Sequence, residues 1–243
     1  MKKVFILSAL IISTYSIQAQ SFGKALKSVS DKVSGENKSG LSNSEIVDGL
    51  KEALEIGAEK AVTSASAVDG FNKNPKIYIP FPEEAEAVKS AAVKLGQSEK
   101  VEVFEEKMNR AAEQATKEAT SILVNAITSM SVQDGYNILR GDDNAATKYL
   151  KSTSEEELKA KFQPIVNKAI ADVDLMKYWE PLAKAYNTTS RFTGKSAVDP
   201  DLEAYVTQKA IDGLFVLIAE QEAKIRNNPA EQVTDTLKKV FGQ

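Results

Sequence analysis

The sequence predicts an all-α fold, a bundle of about eight or nine helices with one short extended segment near residues 77–80. From Leu41 onward, apolar residues recur every three or four positions, which is the spacing of one face of a helix. Helix-start signals precede several of these stretches, with Ser or Asn followed three positions later by an acidic residue. Residues 77–82 are the only convincingly extended segment, because Pro80 and Pro82 cannot continue a helix.

The predicted organisation is a signal peptide followed by a tether and one domain. Residues 1–19 combine the basic Lys2 and Lys3 with an apolar run at 4–12 and a small-residue cleavage pattern, as in a secretory signal. The apolar run is too short for a membrane span, which takes about 20 apolar residues. We therefore expect an exported, soluble protein located in the periplasm. The chain has no cysteine, so no lipid anchor is expected.

Residues 20–40 are predicted to form a flexible tether, since the glycine- and serine-containing stretch 35–40 is typical of linkers. Within 20–34, apolar residues at helical spacing alternate with lysines. This pattern favours either a weak contact with a membrane surface or a frayed terminus. The remaining residues, 41–243, are predicted to form a single all-α domain.

The first half of this domain is predicted to contain three helices. A capping box at 42–45 opens the first helix, and a turn at 69–75 follows it. The second helix covers 83–96 and ends at its glycine. An apolar face across 99–130 predicts the longest helix, and the alanines in its middle predict that a neighbouring helix approaches closely.

The second half is predicted to contain shorter helices separated by caps and prolines. Pro164 and Pro181 should each kink or divide the helix that contains them. A polar loop is expected at 187–199. Helix starts are predicted at Ser131, Asp143, Ser154, Asp199 and Asn228.

The absence of histidine and cysteine from all 243 residues restricts the possible chemistry. It excludes Ser-His-Asp and Cys-His nucleophiles, a histidine general base and the usual zinc and iron sites. The formal net charge of −3 argues against nucleic-acid binding, for which a basic surface is expected. We predict no metal site and no cofactor. Catalysis would have to use carboxylates alone.

Two acidic residues lie in apolar stretches, where burial would raise a pKa as catalysis by a general acid requires. They are Glu113 and Asp212. A structural role is the alternative for each: Glu113 in a solvent-side salt-bridge ladder with Arg110, and Asp212 paired with Lys209 or Gln208.

Other candidate features are weaker. The oxygen-rich stretches 69–74 and 142–144 only partly resemble calcium loops. Four aromatic residues could line a pocket for an apolar or sugar ligand, although their helical spacing is more typical of core positions. They are Tyr178, Trp179, Tyr186 and Phe192.

Several motifs together resemble the bacterial family catalogued as domain of unknown function 4197. The resemblance covers essentially residues 41–243, and its most specific part is the ending. The motifs include Asp69-Gly70-Phe71, Met108-Asn109-Arg110-Ala111-Ala112-Glu113, Ile138-Leu139-Arg140-Gly141-Asp142 and Tyr205-Val206-Thr207-Gln208-Lys209-Ala210-Ile211-Asp212-Gly213-Leu214-Phe215. The resemblance implies an exported helical protein and implies no established activity.

The polar residues within these motifs form the candidate binding site, because they would converge if the short helices fold back on the long one. The alternative is a buried hydrogen-bond network that fixes helix packing. The candidates are Asn109, Arg110, Glu113, Arg140, Asp142, Asp143 and Thr147.

These observations predict a binding or structural protein of the cell envelope, for which an apolar ligand or an envelope component is the candidate partner. The alternative is a carboxylate-only hydrolase acting on envelope glycans.

Overall fold

Helices account for most of the chain in a computed structural model that describes residues 43–83, 86–94, 96–172, 175–193, 197 and 201–227. No β-strand occurs among these residues, which confirms the predicted all-α bundle. The eight described helices are α1 Asn43–Ser66, α2 Glu86–Lys94, α3 Ser98–Thr116, α4 Ala119–Thr128, α5 Val132–Leu139, α6 Ala145–Asp172, α7 Leu175–Thr193 and α8 Leu202–Asn227.

Some predictions concern residues that the structure does not describe. The signal peptide at 1–19, the tether at 20–40, the cap at Ser42, the helix start at Asp199 and the last helix from Asn228 all lie outside the described residues. The division of the chain into these segments and a domain at 41–243 therefore stays a prediction.

The core lies where α8 packs against α1, α3 and α6. Alanine at positions 111, 112, 115 and 119 is fully buried, so the small side chains of this region lie against neighbouring elements as predicted. None of the described helices is both long enough and apolar enough to span a bilayer.

The helix predicted at 99–130 is two helices, α3 and α4, which meet at Lys117 and Glu118. The amides of these two residues donate to the carbonyls of Gln114 and Ala115, three positions earlier, which tightens the chain into a turn. The buried Thr116 hydroxyl also donates to the carbonyl oxygen of Ala112 at 2.8 Å, a contact that bends helices. Apolar periodicity does not register such a turn, because both helices keep an apolar face.

The two helices predicted on either side of Ser154 are one, α6. Every fourth residue of α6 from Ala146 to Ile170 is buried, including Ser154, whose hydroxyl donates to the Leu150 carbonyl at 2.6 Å. Ser154 is therefore an interior residue and does not cap a helix. Pro164 does not divide α6 either.

The four-residue spacing also explains how α6 contacts so many elements. A step of four residues advances about 400° around a helix, so the buried stripe shifts by about 40° at each step. The stripe of α6 thereby winds around the helix. Along its length α6 contacts α3, α4, α5, α7 and α8.

The polar loop predicted at 187–199 is helical up to Thr193, because α7 continues through its Thr, Ser and Asn residues. Helix propensity is a weak guide for such residues, and packing decides. The buried Ser190, for example, faces the interior. Pro181 does not divide α7. At the start of α8, Asp201 provides a cap, since its carboxylate accepts the amide of Ala204 at 2.9 Å.

Two predicted helix ends are confirmed in detail. Ser131 and Asp134 form a reciprocal capping box at the start of α5. Gly96 has φ +74°, and the amides of Gly96 and Gln97 donate to the carbonyls of Val93 and Ala92. This is the hydrogen-bond pattern of a glycine-terminated helix.

The segment between α1 and α2 includes residues 69–81, which we call the clasped segment. Ile77, Ile79 and Phe81 are buried, whereas Tyr78 is half-buried and Pro80 is exposed. This two-residue alternation is that of extended chain, as predicted for 77–80. No strand pairs with it among the described residues, so its backbone groups must find other partners.

Candidate functional site

Helix α3 holds the clasped segment with three polar side chains spaced four residues apart. Glu105, Asn109 and Glu113, which we call the α3 polar row, lie on one face because residues four apart in a helix are neighbours. Each of the three accepts a hydrogen bond from a backbone amide of the clasped segment.

Asn109 takes the place of a neighbouring β-strand. Its Oδ1 accepts the Ile79 amide at 2.8 Å, and its Nδ2 donates to the Ile79 carbonyl at 2.9 Å and to the Glu105 carbonyl at 2.7 Å. Asn109 is fully buried. A carboxamide suits this position because it is donor and acceptor at once.

Glu113 is a buried carboxylate bound by backbone amides. Its Oε1 accepts the amides of Phe71 and Asn72 at 3.1 and 3.2 Å, and its Oε2 accepts Nη1 of Arg110 at 2.9 Å. The residue is only 4 % exposed. The prediction of a solvent-side ladder is therefore half correct: Arg110 is the partner, but Glu113 faces the interior.

Arg110 connects the α3 polar row to Asp69. Its Nη2 donates to Oδ1 of Asp69 at 2.7 Å, and the hydrogen bond with Glu113 raises the pKa of Arg110, so the guanidinium stays charged. Asp69 has φ +67°, a left-handed conformation that aspartate tolerates better than most residues. Hydrogen bonds from Lys73 and Arg110 lower the pKa of Asp69 to about 2.

Gly70 is required where the clasped segment leaves α1. A Cβ atom at this position would lie 2.4 Å from the Ser64 carbonyl oxygen and 2.5 Å from that of Ala65. The Asp-Gly pair thus serves the turn and its contact with Arg110.

Glu105 holds the other end of the clasped segment. Its Oε1 accepts the Phe81 amide at 3.0 Å and Nζ of Lys89 at 2.8 Å, and its Oε2 accepts the hydroxyl of Tyr78 at 3.0 Å. Burial and the Glu105 carboxylate raise the pKa of Tyr78 to about 12. Tyr78 therefore stays a neutral hydrogen-bond donor.

A second buried polar cluster lies at the start of α6. Glu222 of α8 accepts the amides of Ala146 and Thr147 at 3.0 and 2.8 Å, and the Thr147 hydroxyl at 2.7 Å. Arg226, one turn later, donates to Glu222 at 2.9 Å and to the Ile138 carbonyl at 3.0 Å. A carboxylate on the first amides of a long helix satisfies donors that have no partner within the helix and complements the helix dipole.

The seven predicted site residues do not form one cluster. Asn109, Arg110 and Glu113 belong with the clasped segment, and Thr147 belongs with Glu222. Phe71, which contacts Glu113, lies against Gly213 of α8, whereas Thr147 contacts Glu222 of the same helix. Nine residues of helix rise by roughly 13 Å, which separates the two groups.

The other three predicted residues lie on the surface. Asp142 and Asp143 are exposed, and Asp142 pairs with Lys148 at 3.3 Å. Arg140 lies over the ring of Tyr136, 5.6 Å from its centroid. The prediction of convergence is wrong because α6 begins at Ala145 and directs this turn outward.

Four residues that complete the two clusters were missed from sequence: Asp69, Glu105, Glu222 and Arg226. The spacing of Glu222 and Arg226, four apart on a helix, is a pairing signal that could have been noticed. No local pattern marks Glu105 as different from the other acids of α3.

Asp212 is partly exposed. It accepts Lys151 at 2.8 Å and Gln208 at 3.2 Å, whereas the predicted alternative partner Lys209 lies over the ring of Tyr205. The partner Lys151 comes from α6 and could not be read from the local sequence.

The aromatic residues predicted to line a pocket are separated. Trp179 is 1 % exposed and packs against Phe81 and Phe104 at centroid distances of 5.7 and 5.9 Å. Phe192 is 88 % exposed, and Tyr186 packs partly against the core. The Tyr178 side chain lies outside the described part.

No group of three or more acidic residues within the described ranges is arranged to hold a metal ion. At the calcium-like stretch 69–74, Asp69 is paired with Lys73 and Arg110. At 142–144, the pairing of Asp142 with Lys148 likewise uses a carboxylate that a cation would need.

The outer side of the clasped segment forms an open depression of about 500 Å³. Two of its lining residues, Asn72 and Tyr78, are bound by the α3 polar row. Its lining residues are Asn72, Lys73, Asn74, Pro75, Tyr78 and Pro80.

Comparison with known proteins gives one match. No curated protein and no solved structure matches the chain. A family model described as "Protein of unknown function (DUF4197)" matches residues 40–242, which include all the described helices and both buried polar clusters. The chain therefore belongs to the DUF4197 family.

Proposed function

We propose that this protein is an exported, periplasmic, non-catalytic binding protein of the cell envelope. The main support for a non-catalytic role is that the buried carboxylates are used by the fold itself. Glu113 and Glu222 each accept two backbone amides and an arginine, and Glu105 accepts an amide, a lysine and a tyrosine hydroxyl.

A carboxylate-only hydrolase would use these groups differently. Its general acid needs a raised pKa and access to substrate. Asp69, by contrast, has a pKa lowered to about 2 by Lys73 and Arg110, and hydrogen bonds from Ser131 lower the pKa of Asp134.

Export is supported by the basic and apolar composition of residues 1–19. Cell fractionation tests it: the full-length chain should appear in the periplasmic fraction, and a chain lacking residues 1–19 should stay in the cytoplasm. Equal distribution of the two chains would contradict export.

Binding and hydrolysis are separated by one experiment with isolated cell-wall sacculi and envelope membranes. We expect the purified protein to cosediment with one of these fractions and to release no soluble carbohydrate. Release that is lost in both Glu113→Gln and Asp212→Asn would establish the hydrolase instead. Failure to cosediment with either fraction would refute the binding role.

A narrower prediction from the sequence is that the protein holds an apolar ligand. The burial of Trp179 between Phe81 and Phe104 assigns this ring to the core. Native mass spectrometry of protein purified from the periplasm should therefore give the mass of the chain alone. A lipid retained in stoichiometric amount would restore the apolar-ligand prediction.

A further inference from the structure

We propose that the depression over the clasped segment is a carbohydrate-binding site whose central contact is the ring of Tyr78. This inference rests on the proposed function, because it identifies the site and the ligand class of the envelope-binding role.

The backbone beneath the depression is held on two sides. Asn109 of α3 binds both polar groups of Ile79, and Glu105 accepts the Phe81 amide. The hydroxyl of Tyr205, on α8, donates to the Pro80 carbonyl at 3.0 Å. Three consecutive residues are thus fixed from two helices, although no strand in the described part of the chain pairs with them.

The Tyr78 side chain is fixed as well. Its hydroxyl is bound to Glu105 and the residue is half-buried, and Pro75 and Pro80 line the same depression. Proline has a restricted backbone and tyrosine has only two side-chain torsions. A surface built from them loses little conformational entropy on binding.

The polar groups around this ring suit hydroxyl and acetamido groups. The carboxamide of Asn74 uses its oxygen to accept the Lys76 amide at 3.1 Å, and that of Asn72 donates to Asp69 at 3.4 Å. Within the described part of the chain, the Asn74 amide donors and the Asn72 oxygen have no hydrogen-bond partner. The depression therefore offers donors and acceptors beside a flat apolar ring.

The charges at the rim argue for a neutral ligand over an acidic peptide or a phosphate. Lys73 is paired with Asp69 at 2.9 Å, and Lys76 is paired with Glu220 of α8. An anion would have to compete with both acids. The volume of about 500 Å³ lies within the range of small-molecule sites and suits a short oligosaccharide.

The test measures binding of a tetramer of N-acetylglucosamine to the purified protein by saturation-transfer NMR and calorimetry. Tyr78→Ala should weaken binding about tenfold or more, because a central aromatic contact is removed. Tyr78→Phe keeps the ring and should bind within about twofold of the wild type. The matched control is Tyr136→Ala, since Tyr136 is a half-buried tyrosine of α5 outside the depression.

Asn72→Ala is a second test variant, included because Tyr78→Ala could lose binding through misfolding. To the described residues, the Asn72 side chain makes only one long hydrogen bond, so the variant should fold and still bind more weakly. Equal affinity of Tyr78→Ala and the wild type for the tetramer would overturn the site. No binding of the tetramer, while the protein cosediments with sacculi or membranes, would overturn the ligand class and leave the proposed function standing. Absence of cosedimentation would overturn both.

Discussion

Replacement of Asn109 by alanine tests most directly whether α3 holds the clasped segment. The variant leaves the amide and the carbonyl of Ile79 without their partners, which lie at 2.8 and 2.9 Å in the wild type. Each unsatisfied buried group costs about 1–3 kcal/mol. The third partner, the Glu105 carbonyl, keeps its hydrogen bond within α3, so its loss of the Asn109 side chain adds little to the destabilisation.

The expected loss follows from these terms. Two orphaned groups cost about 2–6 kcal/mol, and the better helix propensity of alanine returns roughly 0.6 kcal/mol. Asn109→Ala should therefore lower the free energy of unfolding by about 1.4–5.4 kcal/mol. The corresponding fall in Tm is at least about 3 °C for a domain of this size.

Urea unfolding followed by circular dichroism measures this loss. The matched control is Asn125→Ala, because Asn125 is an exposed asparagine within α4. The control should be neutral or slightly stabilising. If Asn109→Ala and Asn125→Ala have the same stability within about 0.5 kcal/mol, the structural role assigned to the carboxamide is wrong.

Three further predictions concern stability. Glu222→Ala leaves Arg226 and the first amides of α6 without their carboxylate. In thermal or urea unfolding it should lower the free energy of unfolding by about 3–5 kcal/mol. A loss below about 1 kcal/mol would show that the buried pair is dispensable. Gly213→Ala places a Cβ atom 2.7 Å from the Phe71 ring and should destabilise the protein by about 1–3 kcal/mol. The control is Gly57→Ala, where the nearest atoms to the new Cβ lie at 3.5 Å. This control should be neutral or stabilising in the same assay. Because the pKa of Asp69 is lowered in the folded state, its contribution to stability is complete above the usual pKa of 3.8 and is lost as the pH falls toward about 2. Asp69→Asn should remove this part of the pH dependence. The free energies of unfolding of the wild type and the variant, plotted against pH, should therefore approach each other near pH 2. Parallel plots would show that Asp69 does not contribute to stability in this way.

The elements that sequence predicted best are those whose signals are local. The capping box at Ser131 and the glycine stop at Gly96 use partners within a few residues, and both are present. The errors occur where a local signal was overruled by packing. Ser154 resembles a cap, yet its position on the buried stripe of α6 makes it an interior residue.

The candidate site shows the same division. The polar motif that contains Asn109, Arg110 and Glu113 was identified, and the predicted alternative of a buried hydrogen-bond network describes its geometry well. Arg140 and the two aspartates after it lie on the surface and do not join this network, because the direction in which a turn faces depends on the helices that flank it.

Composition and local pattern by themselves determined that the chain is helical, where most helices begin or end, and which catalytic groups it lacks. Only the tertiary structure decided what the buried polar residues bind. Asn109 meets Ile79 across 30 residues, and Glu222 meets Thr147 across 75. A buried carboxylate or carboxamide is stable only where donors and acceptors converge on it, and for these residues the partners come from distant parts of the chain that folding alone brings together.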